Sequence, residues 1–352
     1  FFIAAAFLIN AAVSYGQGQR PKNIILLIGD GMGLNAVTVS DFYLENSQFR
    51  RFPYTGLVNT RSANQLITDS GAGGSAYATG ERILNRSVGV DTTGKALLNV
   101  LEFAKSQKLE TGIVATKAIT DATPAAFYAH VSQRANLNDV AEFLLKNKVD
   151  IVIGGGRGYF LPENLGGERK DNKNLIDSLK GKGYKLPVTI DELKSTSSKD
   201  RIVALLEKKH LPRADERNFT LGDLTSIALE RLSRNKKGFF AMIEGSQIDS
   251  WLHLNEYKAS VNEIKDFNTA VKAALDFAVK DKNTLVIVIA DHETGGLSIT
   301  GGNFKEPVVK WTTKDHTAAL IGVFAYGPSA NLFTGIIDNY QIGRTIFKLL
   351  GK

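Results

Sequence analysis

The 352-residue sequence has no cysteine. Disulfides, thiolate zinc ligands and cysteine nucleophiles are therefore excluded. Histidine is scarce, with five in the chain, so an imidazole-based site has few positions to draw on. No G-x-S-x-G elbow is present, hence no signal of a serine–histidine triad. No internal repeat or low-complexity linker divides the chain. The formal charge is +7, with much of the excess between Arg169 and Lys237. Runs such as Lys180-Gly-Lys-Gly-Tyr-Lys185 nevertheless lack the interleaved aromatics of a nucleic-acid binder. They read as a solvated lysine-rich surface, and positive charge favours anionic substrates.

What remains is an ordinary globular composition, 43% hydrophobic and 22% charged, enough for a sizeable core. Residues 1–19 begin with an apolar stretch, Phe1 to Val13, that resembles a trimmed secretory signal. Asn10 interrupts it, and it is short for a membrane span. The expectation is an exported protein, periplasmic or secreted, with no stable membrane span in the mature chain. Residues 20–352 read as one domain, with a Gly- and Lys-rich insertion at about 154–218. Strands are expected at Asn23–Ile28, Thr111–Thr116, Asp150–Ile153, Gly238–Ile243, Leu285–Ala290 and Ile321–Tyr326. Helical periodicity marks Leu97–Lys105, Asn138–Lys146, Leu221–Arg234, Lys258–Val279 and Gln341–Leu350. Such alternation predicts an α/β fold, a mainly parallel central sheet with helices on both faces.

In open α/β sheets ligands bind beyond the carboxyl ends of the strands, and the polar residues gather there. The run Thr284 to Ala290 stops at Asp291-His292-Glu293-Thr294-Gly-Gly. The run Phe239 to Ile243 stops at Glu244-Gly-Ser-Gln-Ile-Asp249-Ser-Trp-Leu-His253. His316 lies just before Ile321–Tyr326. Each could be a cap or a satisfied polar group, but three strand ends with the same residue types suit a zinc site with oxygen-rich company. Asp249 and His253 would share a helical face at i, i+4.

Three further segments carry two readings each. Gly29-Asp30-Gly31-Met32-Gly33 fails the dinucleotide-binding spacing. It is either a plain turn or one that projects Asp30 into a site. Asp69-Ser70-Gly-Ala-Gly-Gly could start a helix, with Ser70 as its N-cap or as a nucleophile activated by metal. In Thr120-Asp121-Ala-Thr123-Pro, Asp121 and Thr123 mark a turn into a helix or offer hard oxygens to magnesium. Arg134 is a surface charge or a planar fork for two phosphate oxygens.

Together these segments resemble the alkaline phosphatase family, in the family's motif order from about Asn23 to the C-terminus. The most specific are Asp69-Ser70-Gly-Ala-Gly-Gly, Asp121-Ala-Thr-Pro-Ala-Ala and Ala290-Asp-His-Glu-Thr-Gly-Gly. The resemblance implies an alkaline phosphatase-like fold that hydrolyses small phosphate monoesters through a phosphoserine, at a site of two zinc ions and one magnesium. Ser70 would be the nucleophile, and Arg134 would clamp the phosphate. One zinc would take Asp249, His253 and His316, the other Asp30, Asp291 and His292. Magnesium would take Asp30, Thr123 and Glu244, with Asp121 beside or bound to it. His130 and His210 gain no role. Ser250 departs from the Lys or His common in relatives, and Ser75 from the usual Thr. The resemblance points to no nucleic-acid partner, and a homodimer is allowed rather than required. The alternatives are a phosphodiesterase of the same superfamily and an inactive, metal-stabilised binding protein. A sulfatase is disfavoured because there is no cysteine and no x-Pro-x-Arg after Ser70.

Overall fold

Apolar runs without polar alternation must be covered on both faces, and such runs form the centre of the sheet. A computed structural model describes residues 19–43, 47–303 and 306–352; the signal-like segment, through residue 18, lies outside them. The strands in chain order are β1 (Asn23–Gly29), β2 (Tyr54–Asn59), β3 (Glu110–Ala118), β4 (Ile151–Gly155), β5 (Ile202–Leu205), β6 (Phe239–Gly245) and β7 (Thr284–Ile289). They continue with β8 (Glu293–Thr294), β9 (Ser298–Gly302), β10 (Pro307–Lys310), β11 (His316–Thr317), β12 (Ile321–Tyr326) and β13 (Gly335–Asp338).

Nine of them form one sheet in the order β13-β2-β12-β7-β1-β6-β3-β4-β5. Its strands run parallel except β12, which is antiparallel to both β2 and β7. Every residue of β1, β6 and β7 is buried. The expected strands are all present. The additions to this sheet are β2, β5 and β13; β2 mixes exposed, half-buried and buried positions and β13 has only exposed and half-buried ones, so their pattern does not stand out. β5 is a run of four residues inside the stretch read as an insertion, and it pairs with β4 as the sheet's last strand. The helix expected from Leu97 begins instead at Val100, because Asn99 caps it in a reciprocal capping box with Glu102.

Register brings the polar strand ends together. Gly29 pairs with Gly245, Ile28 with Ile289 and Ala115 with Glu244. Asp30, Ser246 and the Ala290-Asp291 corner therefore leave the sheet at nearly one level. Beyond that edge, β11 pairs antiparallel with β8, setting His316 opposite Thr294. Gly31 turns the chain at φ +69°, and a Cβ there would lie 2.9 Å from Asp249 Oδ1. Only glycine meets both demands.

The helix Ser70–Thr79 is buried along its whole length. It lies against Asp291 on one side, where a Cβ on Gly73 would meet Asp291 O at 3.0 Å. Helix Asn339–Leu350 presses on it from elsewhere: a Cβ on Gly343 would come 2.6 Å from both Ala76 O and Tyr77 O. Backbone cannot yield as a flexible side chain can. Gly343→Val should therefore cost roughly 1–3 kcal/mol, the usual scale of overpacking. Urea unfolding would read this as a lowered midpoint, and an unchanged midpoint would show that the contact carries no such strain.

Candidate active site

Asp249 and His253 lie on the helix Gln247–His253 directly after β6, so the i, i+4 spacing puts them side by side. His253 Nε2 is 3.3 Å from Asp249 Oδ1, and His316 Nε2 is 3.7 Å from the same oxygen. The two Nε2 atoms are 3.1 Å apart. His253 Nδ1 donates to Lys314 O at 2.5 Å and His316 Nδ1 to Thr68 O at 2.9 Å. Carbonyls only accept, so each neutral ring keeps an unshared pair on Nε2. Two nitrogens and a carboxylate thus aim lone pairs at one point, an arrangement that suits a cation.

The second cluster repeats this logic. Thr294 Oγ1 donates its single proton to Asp249 Oδ1 at 2.6 Å, so it must accept from His292 Nδ1 at 3.1 Å. That leaves His292 Nε2 facing Asp291 Oδ2 at 3.2 Å and Asp30 Oδ1 at 3.5 Å. Those two carboxylate atoms are buried with no hydrogen-bond partner. Buried acceptors without donors are costly, and a shared cation is what would relieve them. The ligand atoms of each triad lie within 4.8 Å of one another. The His292 and His316 rings stack at 3.5 Å between centroids, which ties the two clusters together.

Ser70 Oγ sits 3.2 Å from His292 Nε2. Ser70 is the first residue of its helix; the capping role belongs to Asp69, whose Oδ1 accepts from Ala72 N at 2.9 Å. The nucleophile candidate therefore lies at the positive end of a ten-residue helix. Asp69 Oδ2 also accepts from Arg134 Nη1 at 3.1 Å, and Arg134 Nη2 is 3.7 Å from Asp121 Oδ1. Arg134 is thus held between two acids with 28% of its side chain exposed, neither a free surface charge nor fully sequestered.

Acids dominate the electrostatics. Burial pushes Asp30 well above the ordinary carboxylate range, and Asp249 and Asp291 push it further. Burial also drives Glu244 up to about 8, against a 2.6 Å bond from Ser246 Oγ. Burial opposes ionisation of Asp249, but the adjacent His253 and Lys117 outweigh it and hold the carboxyl below its usual range. Burial, with His292 nearby, takes His316 down to about 4, which keeps it a neutral donor. Thr123 lies in the helix Ala122–Ala125, and its buried Oγ1 has no partner.

Sequence reasoning missed Lys117, whose ammonium lies among Asp30, Asp121 and Asp249. Burial would depress it, yet those acids hold it above its ordinary value. It also missed Thr294, which sets the His292 tautomer; its place after His292 in the strand-end motif was the available signal. The two unassigned histidines have structural partners: His130 bonds Gly89 O and Glu102 Oε1 at 2.7 and 2.9 Å, and His210 Nδ1 accepts from Ala118 N at 3.0 Å.

The fold and this site define a metal-binding hydrolase of the α/β class. The family model for alkaline phosphatase matches residues 21–308. Alkaline phosphatase 4 of Bacillus subtilis strain 168 is 34% identical, over 94% of this chain and 88% of that protein. Alkaline phosphatase of Escherichia coli K12 is 30% identical over 97% and 89%. Among solved structures, the alkaline phosphatase of the Antarctic bacterium TAB5 superposes with a TM-score of 0.90 at 36% identity, covering 94% of this chain and 99% of its own. The chain belongs to the alkaline phosphatase family and is an enzyme of that family.

His316 is the one member of its triad that comes from β11. His316→Ala should weaken cation binding at that cluster by roughly tenfold or more and spare the other, since even partners behind a ligand can matter that much. Competitive zinc titration should show one affinity changed and one preserved; two unchanged affinities would reduce His316 to packing.

Proposed function

We propose that this enzyme hydrolyses phosphate monoesters through a phosphoserine on Ser70, with divalent zinc held by Asp249, His253 and His316 and by Asp30, Asp291 and His292. The observation that carries the reading is the convergence of Ser70 Oγ, His292 Nε2 and the two unpartnered oxygens of Asp30 and Asp291. Bound zinc supplies Lewis acidity at the ester oxygens and lowers the proton affinity of nearby hydroxyls.

The side chains do the positioning. Ser70 Oγ gives its proton up to solvent and attacks phosphorus, the bond from phosphorus to the ester oxygen breaks, and the alcohol leaves with a proton taken back from solvent. Water then attacks the phosphoserine, the P–Oγ bond breaks, Oγ regains a proton and inorganic phosphate departs. Arg134, braced by Asp69, offers its fork to two non-bridging oxygens. A monoester has three such oxygens and a diester two, so this fork favours monoesters over the diesters of related enzymes. The N-terminal end of the Ser70–Thr79 helix adds positive potential where phosphate charge accumulates.

By resemblance, a third cation, magnesium, falls to Asp30, Thr123 and Glu244, with Asp121 beside them. The unpartnered Thr123 Oγ1 supports an oxygen ligand there. A variant of the TAB5 enzyme has been solved with magnesium bound in its M3 site. The apolar Phe1–Val13 stretch supports a working place outside the cytoplasm, and no helix among the described residues is long and apolar enough to cross a membrane.

Two variants test this. Ser70→Ala should keep its metal and fold but lose most monoesterase activity, and acid quenching with labelled phosphate should trap phosphoserine in the parent alone. Equal labelling of the variant would sink the assignment. Arg134→Ala should lower kcat/KM for monoesters by roughly 10–1,000-fold, about 1.4–4 kcal/mol of transition-state binding. Diester turnover should fall far less; equal losses on both substrates would contradict the monoester reading.

A further inference from the structure

A cavity of about 440 Å³ opens at the amino ends of β3, β4 and β5, where Glu110, Asp150 and Arg201 stand at or just before the first strand residue. β3 spans nine residues, roughly 26 Å at about 3.3 Å per residue, and Asp121 lies beyond its other end. The cavity therefore shares the sheet with the active site but not the edge where α/β enzymes place catalysis.

Four cations line it: Lys199, Arg201, Arg231 and Arg234. Arg231 is 7% exposed, in the last turn of the helix Leu221–Leu232. Its Nη2 donates to Leu193 O and Thr196 O at 3.1 Å each and to Thr196 Oγ1 at 2.8 Å, and its Nη1 to Ile227 O at 3.3 Å. All of these acceptors are neutral, and its Nε is buried with no acceptor. Burial holds its pKa below the ordinary arginine value. A buried charge surrounded by neutral groups is costly, and an anion in the cavity would relieve it. Arg234 N bonds Arg231 O at 3.3 Å, so the turn after the helix carries a second guanidinium to the same cavity.

The acids that also line the cavity do not cancel this charge. Asp150 is already answered by Lys105 Nζ, 2.5 and 2.6 Å from its two oxygens, and by Thr111 N and Oγ1 at 3.0 and 2.9 Å. Set against Asp200 and Glu110, the four cations leave an excess of two positive charges. Burial, with Asp150 beside it, pushes Glu110 up to about 7, so near neutral pH that carboxyl carries only part of its charge. The volume falls in the roughly 300–1,000 Å³ range of small-molecule sites, so an organic group attached to an anion also fits.

We propose that this cavity is a second anion site, separate from the catalytic centre, which takes a phosphate group, free or on a small organic molecule, with Arg231 and Arg234 as the donors that grip it. Guanidinium forks match phosphate oxygens in pairs, and two positive charges suit a dianion.

The test is equilibrium dialysis of the zinc-loaded enzyme against labelled inorganic phosphate and, separately, labelled phenylphosphonate, which resists hydrolysis. Each parent chain should bind two anions, and Arg231→Gln should weaken one of them by about tenfold or more, the scale of a hydrogen bond to a charged group. Arg234→Gln, on the exposed side of the cavity, should do the same and decides the matter should the first variant not fold. The ligand held more tightly at this site distinguishes free phosphate from an organic phosphate as the occupant. Loss of that anion with kcat at the parent's level supports a second site. Binding unchanged in folded Arg234→Gln overturns the proposal, and so does a matching fall in kcat, which would place the lost anion at the catalytic centre. The other anion should be the one that Arg134→Ala weakens, so failure of the monoesterase reading would remove that anion and leave the Arg231-dependent one.

Discussion

Four carboxylates, Asp30, Glu244, Asp249 and Asp291, are buried together at one edge of the sheet, and like charges in such a place demand positive company. Two unit charges 4 Å apart interact by about 4 kcal/mol at an effective dielectric of 20. No fold keeps several such repulsions without a compensating cation or a shared proton. The chain supplies part of the compensation through Lys117 and Arg134. The lone pairs converging from His253, His292 and His316 would accommodate the rest as metal. Once cations are seated, it is their charge left over after the acids are balanced that would draw in an anion, so the same acids that call for metal also set the sign of what can bind beside it.

Backbone geometry makes this crowding feasible. Adjacent parallel strands in register deliver Asp30, Glu244 and Asp291 to one level. Gly31 lets the first loop pass within reach of Asp249, and Gly73 lets the Ser70 helix rest on Asp291. The short pairing of β11 with β8 returns His316 from a distant part of the chain. Carbonyls of Thr68 and Lys314, with the Thr294 hydroxyl, then fix each ring so that Nε2 points inward. The positioning falls to rigid elements and backbone atoms, as a site of closely opposed charges requires.

The sequence makes some of this legible and leaves the rest hidden, for physical reasons. The buried parallel strands stand out because both faces are covered and the run is apolar, as in residues 285–289. The sheet margin does not: Gly335–Asp338 exposes half its residues, and its pairing with β2 is a tertiary fact. Asp291-His292 is conspicuous because acid and imidazole directly follow an apolar strand. Lys117 is inconspicuous in Ala-Thr-Lys-Ala, since the acids around it come from separate segments. The carbonyls that orient His253 and His316 have no side-chain signature at all. Ser70 was readable as a helix start, but only the structure assigns the cap to Asp69 and frees the hydroxyl.

In the proposed function, two histidine–carboxylate clusters each hold one zinc beside Ser70. Anomalous diffraction from zinc-loaded crystals, recorded on both sides of the zinc edge, tests it most directly. Two peaks should appear, one bounded by Asp249, His253 and His316 and the other by Asp30, Asp291 and His292. A single peak, or zinc bound away from either triad in fully loaded and folded protein, would contradict it.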